Sequence, residues 1–219
     1  MEVTARAGGV AGIVLAAGAS SRMGRPKMLL PLGGRTLLST VAAALLDAGL
    51  PSVVVVLGCD ADNVRAAAGL PEDPRLRLAV NDEWRSGMAS SLRRGLEECG
   101  AAAAALVALG DQAGLTADRV RRIVSAWRPD AALVVPTHNG RAGHPVLFAR
   151  TLWDELRALS GDVGGRDVVT RHLEGAVLVP AEPLADLDTQ EDLRRHLSGG
   201  PAPDSGLPLP GSPRRTGSH

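Results

Sequence analysis

The sequence predicts an α/β protein, for three reasons. Short apolar runs rich in Val, Ile, Leu and Ala alternate with amphipathic stretches, which is typical of buried parallel strands joined by crossover helices. A glycine-rich segment directly follows the first apolar run. The length of 219 residues suits one domain with a sizeable core.

Each apolar run is too short for a helix and is bounded by turn residues. The expected strands are residues 12–15, 53–57, 76–80, 104–108, 132–135 and 176–179. The expected helices are residues 37–48, 62–68, 89–98, 117–127, 151–159 and 191–197. Thr116 and Thr189 are candidate N-caps, because a threonine oxygen can accept from the first backbone N–H groups of a helix. Pro, Gly and Ser dominate the end of the chain, so we expect a domain over 1–198 and a disordered tail over 199–219.

Composition excludes several classes of partner. Lys+Arg and Asp+Glu number 24 each, so no global field attracts the chain to nucleic acid or to anionic lipid. No apolar run approaches the roughly 20 residues that span a bilayer. Cys59 and Cys99 are far apart and lack zinc-ligand spacing. We therefore expect a cytoplasmic protein with reduced thiols that binds neither nucleic acid nor membrane.

The glycine-rich segment 15–27 reads LAAGASSRMGRPK. Its small residues let backbone N–H groups approach an anion closely, and Arg22 and Lys27 add positive charge at the same place. It is not a Walker loop, because no Gly-Lys-Ser/Thr follows, and the spacing of Gly18 and Gly24 does not fit Gly-x-Gly-x-x-Gly. The segment thus predicts a phosphate-binding loop that differs from those of P-loop kinases and dehydrogenases.

Acidic residues in two places could bind a cation. Asp111 follows the strand 104–108, at the carboxyl edge of a parallel sheet, where open α/β proteins bind ligands. Mg²⁺ usually takes one or two carboxylates plus substrate phosphates, so Asp111 is a suitable ligand unless it only caps the next turn. Asp186 and Asp188 would point to the same face of an extended segment, and either could share the cation. Alternatively, these two acids mark a helix start.

Three segments resemble the MobA/MocA-like nucleotidyltransferases, especially the molybdenum cofactor cytidylyltransferases. They are LAAGASSRMGRPKMLLPLGGRTLL at 15–38, NDEWRSGMASSL at 81–92, similar to "N..W..GM..SL", and the GDQ at 110–112. With the C-terminal segment ADLDTQED, similar to "DIDTPED", the resemblance covers residues 12–197. It implies a three-layer, Rossmann-like nucleotidyltransferase fold with a mostly parallel central sheet. Ala113 and Gln190 replace prolines of the family, which affects backbone stiffness more than chemistry.

The resemblance also implies a reaction, the transfer of CMP from CTP onto the terminal phosphate of molybdopterin with Mg²⁺ as cofactor. Arg22 and Lys27 then stabilise charge on the phosphates, and Asp111 with Asp188 binds the metal. The "LAAG" motif is tied to cytidine, as opposed to guanosine. The implied nucleotide-binding residues are Leu15, Ala16, Ala17, Gly18, Ala19, Ser20, Gly87 and Ser91. A molybdoenzyme or its chaperone is the implied protein partner.

Segments 140–145 and 161–166 resemble the family's "G.P" and "GD.G.R" motifs, where the resemblance implies acceptor binding. The implied acceptor-binding residues are Gly143, His144, Pro145 and Arg166. His144 is expected to position the acceptor or to sit in a plain turn, since the attacking phosphate is already ionised and requires no base. Trp84 is left out of the site, because an isolated Trp more often packs at the edge of a core.

Three alternatives remain beside this interpretation. A nucleotidyltransferase for a sugar phosphate or another small phosphate could use the same loop and metal. A non-catalytic carrier could bind molybdopterin and deliver it to an apoenzyme. A dehydrogenase is disfavoured by the glycine spacing and by Gly58-Cys59, which stand where an acidic residue should end the second strand.

Overall fold

A computed structural model of the chain describes residues 9–19, 26–186, 192 and 206–209. Its strands are β1 (Val10–Ala16), β2 (Pro31–Leu32), β3 (Arg35–Thr36), β4 (Ser52–Leu57), β5 (Leu76–Val80), β6 (Ala104–Leu109), β7 (Gln112–Ala113), β8 (Leu133–His138), β9 (Arg141–Ala142), β10 (Val146–Ala149), β11 (Val177–Pro180), β12 (Ala185–Asp186) and β13 (Leu207–Pro208). Its α-helices are α1 (Leu37–Asp47), α2 (Ala61–Ala67), α3 (Met88–Glu97), α4 (Ala117–Ala126), α5 (Trp153–Arg157) and α6 (Arg166–His172).

The central sheet confirms the predicted fold class. Its strand order is β13-β9-β8-β10-β6-β1-β4-β5, and β11 pairs with β8. The pairs β1·β4, β1·β6, β4·β5 and β8·β11 are parallel, and all six predicted strands lie in this sheet as β1, β4, β5, β6, β8 and β11. The carboxyl ends of β1, β4, β5 and β6 therefore meet at one edge of the sheet.

Two cores, one on each face of the sheet, give the fold its three layers. Helices α1, α2 and α4 contribute to one core and α3, α5 and α6 to the other. Strand β1 serves both, because Val14 points into the first core and Ile13 into the second. Strands buried on both faces need apolar residues at every position, which explains why β1 and β4 are continuous apolar runs.

Strand β10 and helix α6 were not predicted. Strand β10 lies antiparallel between β6 and β8, so the sheet is mixed and not wholly parallel. The helix expected at 151–159 is shorter, a 3₁₀ turn at Arg150–Leu152 followed by α5. The helix expected at 191–197 lies outside the described residues except for Asp192. Thr116 accepts from Arg119 N at 3.2 Å, as expected of an N-cap.

The predicted tail contains one short strand. Leu207 and Pro208 form β13, which pairs antiparallel with β9, so the expectation of disorder does not hold for these residues. The remaining residues of 199–219, apart from 206 and 209, lie outside the described part of the chain.

Both cysteines carry free thiols. Burial raises the pKa of the Cys99 thiol to about 12, so it stays protonated at neutral pH, as a structural thiol should. In the described parts of the chain, no helix is long and apolar enough to cross a membrane.

We predict that Leu92→Ala lowers the free energy of unfolding by about 2–5 kcal/mol, the usual loss when a fully buried leucine is truncated. Leu92 is 0% exposed on α3. The matched variant is Leu178→Ala on β11, where the side chain is 46% exposed, and it should change the free energy by less than about 0.5 kcal/mol. Urea unfolding measures both, and equal losses in the two variants would contradict the described core.

Candidate active site

A cleft of about 750 Å³ opens at the carboxyl edge of β1 and β6. This is the edge at which open α/β sheets bind ligands, and the volume lies in the range of small-molecule sites. The described residues that line it are Leu15, Ala16, Ala17, Gly18, Ala19, Lys27, Met28, Trp84, Arg85, Ser86, Gly87, Met88, Ser91, Leu109, Asp111 and Asp162. Nine of them were singled out from the sequence as site residues.

The loop that follows β1 is tied to both neighbouring strands. The N–H of Cys59, just past β4, donates to the carbonyl of Ala17 at 3.0 Å. The N–H of Gly110, just past β6, donates to the carbonyl of Leu15 at 2.8 Å. These bonds fix the start of the loop, so that Gly18 and Ala19 lie exposed in the cleft. Ser20 and Arg22 lie outside the described residues.

Lys27 and Asp111 form the charged centre of the cleft. Lys27 begins a 3₁₀ turn, Lys27–Leu29, and its side chain is only 11% exposed. Its Nζ lies 4.0 Å from Oδ2 of Asp111. A buried ammonium requires a compensating charge, and Asp111 supplies one. Lys27 is also the only lysine in the sequence, in which every other basic side chain apart from histidine is arginine.

The carboxylate of Asp111 fits a magnesium ion that takes further ligands from a substrate. Its side chain is 35% exposed at the cleft. Among the residues that the structure describes, no group of three or more His, Cys, Asp or Glu could hold a metal, so these residues form no complete cage. Mg²⁺ usually binds through one or two carboxylates with phosphates and water. Strand β12 places Asp186 opposite Gln112, which brings the second acidic segment near Asp111, whereas Asp188 lies outside the described residues.

A buried asparagine positions Ser91 at the start of α3. The amide of Asn81 donates to Ser90 Oγ at 2.8 Å and to Ser91 Oγ at 3.0 Å, and its Oδ1 accepts from Glu83 N at 3.0 Å. Ser90 donates in turn to the carbonyls of Glu83 and Gly87. Because Ser91 accepts from Asn81, its own proton is available to an acceptor atom in the cleft. The sequence showed Asn81 only as part of a motif and not as the residue that orients Ser91.

Gly87 meets a structural requirement of the cleft. Its φ is 108° and its ψ 176°, a conformation essentially limited to glycine. A Cβ there would lie 2.2 Å from both the carbonyl carbon and the oxygen of Gly161. Ala89 N also donates to that oxygen at 3.2 Å. The 160–165 loop therefore packs against the N-terminus of α3, and its Asp162 lines the cleft.

Trp84 and Arg85 line the cleft, which corrects the expectation that Trp84 lies outside the site. The guanidinium carbon of Arg85 lies 4.2 Å from the centroid of the Trp84 ring. Trp84 is half-buried and Arg85 is exposed. Sequence reasoning missed Arg85 and Asp162 as cleft residues, although both stand inside segments that carry the family resemblance.

The four predicted acceptor-binding residues do not line this cleft. Gly143 and His144 line a separate cavity of about 50 Å³. Pro145 is buried beside them, and Arg166 is exposed at the start of α6. Their predicted role has no support from their position.

Arg119 holds together the loops around the smaller cavity. It is 6% exposed and donates to the carbonyls of His144 and Glu182. Burial lowers the pKa of its guanidinium to about 10, with a further contribution from the charge of Arg122. Arg119 therefore stays charged at neutral pH and links α4 to the two loops.

Comparisons with known proteins agree on one family. The family model described as the MobA-like NTP transferase domain matches residues 12–176. A nicotine blue oxidoreductase of Paenarthrobacter nicotinovorans is 40% identical over 165 residues, covering 72% of this chain and 79% of that protein. A probable molybdenum cofactor guanylyltransferase of Mycobacterium marinum is 33% identical over 84% of this chain and 91% of its own length. The molybdenum cofactor cytidylyltransferase of Escherichia coli is 28% identical, with coverages of 82% and 91%.

Solved structures with the same fold include two of one mycobacterial protein. The crystal structure of Rv0371c from Mycobacterium tuberculosis H37Rv has a TM-score of 0.77 and 34% identity, covering 88% of this chain and 100% of that chain. The structure of Rv0371c in complex with manganese has a TM-score of 0.70 and 30% identity, with coverages of 87% and 98%. Manganese is thus present in the structure of a relative.

We predict that Gly87→Ala destabilises the protein by about 1–3 kcal/mol, because alanine must either adopt a strained backbone or displace Gly161. The adjacent variant Ser86→Ala, which removes an exposed hydroxyl, should stay within about 0.5 kcal/mol of wild type. Thermal unfolding of both variants measures the difference. An unchanged melting temperature in Gly87→Ala would show that the 160–165 loop does not pack on α3 as described.

Proposed function

Because this chain belongs to the MobA-like NTP transferase family, we propose that it moves CMP from CTP onto molybdopterin and releases pyrophosphate. The product would be molybdopterin cytosine dinucleotide. The observation that carries the proposal is the pair of Lys27 and Asp111, 4.0 Å apart, beside a small-residue loop at the carboxyl edge of the sheet. This arrangement offers a cation and a hard oxygen ligand to the same triphosphate.

In the proposed reaction, an oxygen of the acceptor phosphate attacks the α-phosphorus of CTP in line with the leaving group. The new P–O bond forms as the bond from the α-phosphorus to the bridging oxygen of pyrophosphate breaks. No proton has to be removed, since the attacking phosphate is ionised near neutral pH. The protein therefore contributes mainly positioning and electrostatic stabilisation.

Different residues of the cleft position the triphosphate, stabilise its charge and bind the metal in this proposal. The backbone of Ala17 to Ala19, continuing into Ser20, holds the triphosphate, because exposed N–H groups of small residues approach an anion closely. Lys27, together with Arg22, stabilises negative charge that moves towards pyrophosphate. Asp111, with Asp188, is the proposed Mg²⁺ site, and bound Mg²⁺ would neutralise charge on the triphosphate oxygens.

The choice of CTP rests on the small residues Ala16 and Ala17 and on Ser91. Because Ser91 Oγ accepts from Asn81, the hydroxyl of Ser91 can donate its proton to a carbonyl oxygen such as that of a pyrimidine. The names of the relatives include both a cytidylyltransferase and a guanylyltransferase, so GTP is the principal competitor. Molybdopterin as acceptor follows those same names. We further propose that the protein works in the cytoplasm and hands its product to a molybdoenzyme or its chaperone.

An oxidoreductase is the second candidate, because a relative 40% identical bears the name nicotine blue oxidoreductase. Against it, Gly58 and Cys59 follow β4 at the point where dinucleotide-binding proteins place an acidic residue for the ribose. Oxidation of NADH or NADPH by the purified protein with nicotine blue would favour this candidate.

The direct test is pyrophosphate release with Mg²⁺ and each of CTP, GTP, ATP and UTP, with and without molybdopterin. Release that requires both CTP and molybdopterin is expected. Release with GTP instead of CTP would show that GTP is the nucleotide substrate. Release only with another phosphorylated acceptor would show that molybdopterin is not the acceptor. Binding of molybdopterin without any release would instead favour a carrier.

Lys27→Ala and Asp111→Asn should each lower kcat by about 10² to 10³, the usual cost of removing one preorganised electrostatic group. Lys27→Arg keeps the charge and should retain more activity than Lys27→Ala. Matched controls are Arg65→Ala and Asp130→Asn, which remove exposed charges outside the cleft and should leave kcat within about twofold. Full activity in Lys27→Ala or Asp111→Asn would refute the assigned roles.

A further inference from the structure

Four charged side chains of the described residues line the cleft, namely Lys27, Arg85, Asp111 and Asp162. Lys27 lies beside Asp111. Within the described part of the chain, the Arg85 guanidinium makes no hydrogen bond or ion pair and stacks on the ring of Trp84. Among these described residues, the N–H groups of Arg85 therefore have no carboxylate or carbonyl to release before they bind a ligand.

The stack on Trp84 also orders Arg85 in advance. A free arginine loses considerable rotamer entropy when it binds a ligand, and a guanidinium already lying on an indole loses less. Trp84 itself is held closely, because only a glycine at position 58 leaves room for it. A Cβ on Gly58 would lie 2.7 Å from the Cβ of Trp84 and 2.7 Å from that of Ala17. Gly58 thus lies between Trp84 and Ala17 of the loop after β1, which places the Arg85–Trp84 stack close to that loop.

The proposed reaction requires a second anion site in this cleft. CTP and a phosphorylated acceptor are both negatively charged, and their phosphates must approach each other until a P–O bond forms. Lys27 already lies among the groups assigned to the triphosphate. A cation from a different element of the chain is needed to hold the acceptor phosphate against this repulsion, and arginine presents paired donors that match phosphate oxygens.

We propose that Arg85, stacked on Trp84, binds the phosphate of the acceptor and so makes the enzyme specific for phosphorylated acceptors. This inference rests on the proposed function. It replaces the expectation that Arg166 performs this task, because Arg166 is exposed on α6 and lines neither cavity.

The test is a calorimetric titration of the full-length protein with inorganic phosphate, after saturation with Mg²⁺ and a non-hydrolysable CTP analogue. With the triphosphate site filled, phosphate reports on the acceptor site alone. Arg85→Ala should weaken phosphate binding about tenfold or more, as expected for loss of a charge-assisted hydrogen bond, while binding of the CTP analogue changes less than about twofold.

Three further variants distinguish the contribution of the Trp84 stack to phosphate binding from the contribution of the Arg85 charge. Trp84→Leu should weaken phosphate binding about two- to fivefold, because the cation remains but its cation–π contact is lost. Arg85→Lys should recover part of the affinity. Arg65→Ala, an exposed arginine on α2 outside the cleft, should bind phosphate as the wild type does. The same order is expected in the KM for molybdopterin, with the KM for CTP unchanged.

Each remaining outcome is decisive. Unchanged phosphate binding in Arg85→Ala, loss of binding in Arg166→Ala alone, or no phosphate binding by the wild type would overturn the inference and leave the nucleotidyl transfer intact. Weaker binding of the CTP analogue to Arg85→Ala would assign Arg85 to the triphosphate and also overturn it. If the wild type does not bind the analogue at all, the proposed function fails, and the inference fails with it.

Discussion

The parallel pairing of β1 with β6 is the constraint on which the cleft depends. Leu15 lies opposite Leu109 in this pairing, so the loop after β1 and the carboxylate after β6 leave the sheet side by side. The carbonyl of Leu15 accepts from Gly110 N and that of Ala17 from Cys59 N, which extends this alignment past the ends of the strands. A shift of register would separate the loop from Asp111, and the small-residue loop and the carboxylate would no longer face one substrate.

The two basic side chains among the described residues of the cleft, Lys27 and Arg85, differ in burial and in what they contact. Lys27 is largely buried and lies beside Asp111, and a compact ammonium suits a charge that moves among triphosphate oxygens. Arg85 is exposed and lies on Trp84, and its planar guanidinium suits the paired oxygens of one phosphate. That the chain contains one lysine, and that this lysine lies in the cleft, is consistent with a requirement for an ammonium at position 27.

The strands could be predicted from the sequence, because strands buried on both faces are continuous apolar runs. The position of the small-residue loop 17–19 directly after β1 could also be predicted, whereas its phosphate-binding role stays a prediction. Strand β10 could not be predicted, because a four-residue apolar run beside a glycine-rich loop does not indicate that the run pairs antiparallel between β6 and β8. Trp84 and Arg85 were missed because the position of Trp84 depends on its close approach to Gly58, a contact between distant parts of the sequence. Gly143 and His144, predicted to bind the acceptor, line a different cavity. A resemblance between motifs does not give the distance in space between one motif and another, so it could not show this separation.

The proposed binding of a nucleoside triphosphate beside Lys27 can be tested by chemical modification. An amine-selective reagent can react only with Lys27 and the N-terminal amine, because the sequence contains one lysine, and the N-terminal amine serves as an internal control. With CTP and Mg²⁺ we expect modification of Lys27 to slow by about tenfold or more, as saturation of a site with ligand requires, while the N-terminal amine reacts at an unchanged rate. Equal slowing of both amines, or no slowing at Lys27, would show that the triphosphate does not bind beside Lys27.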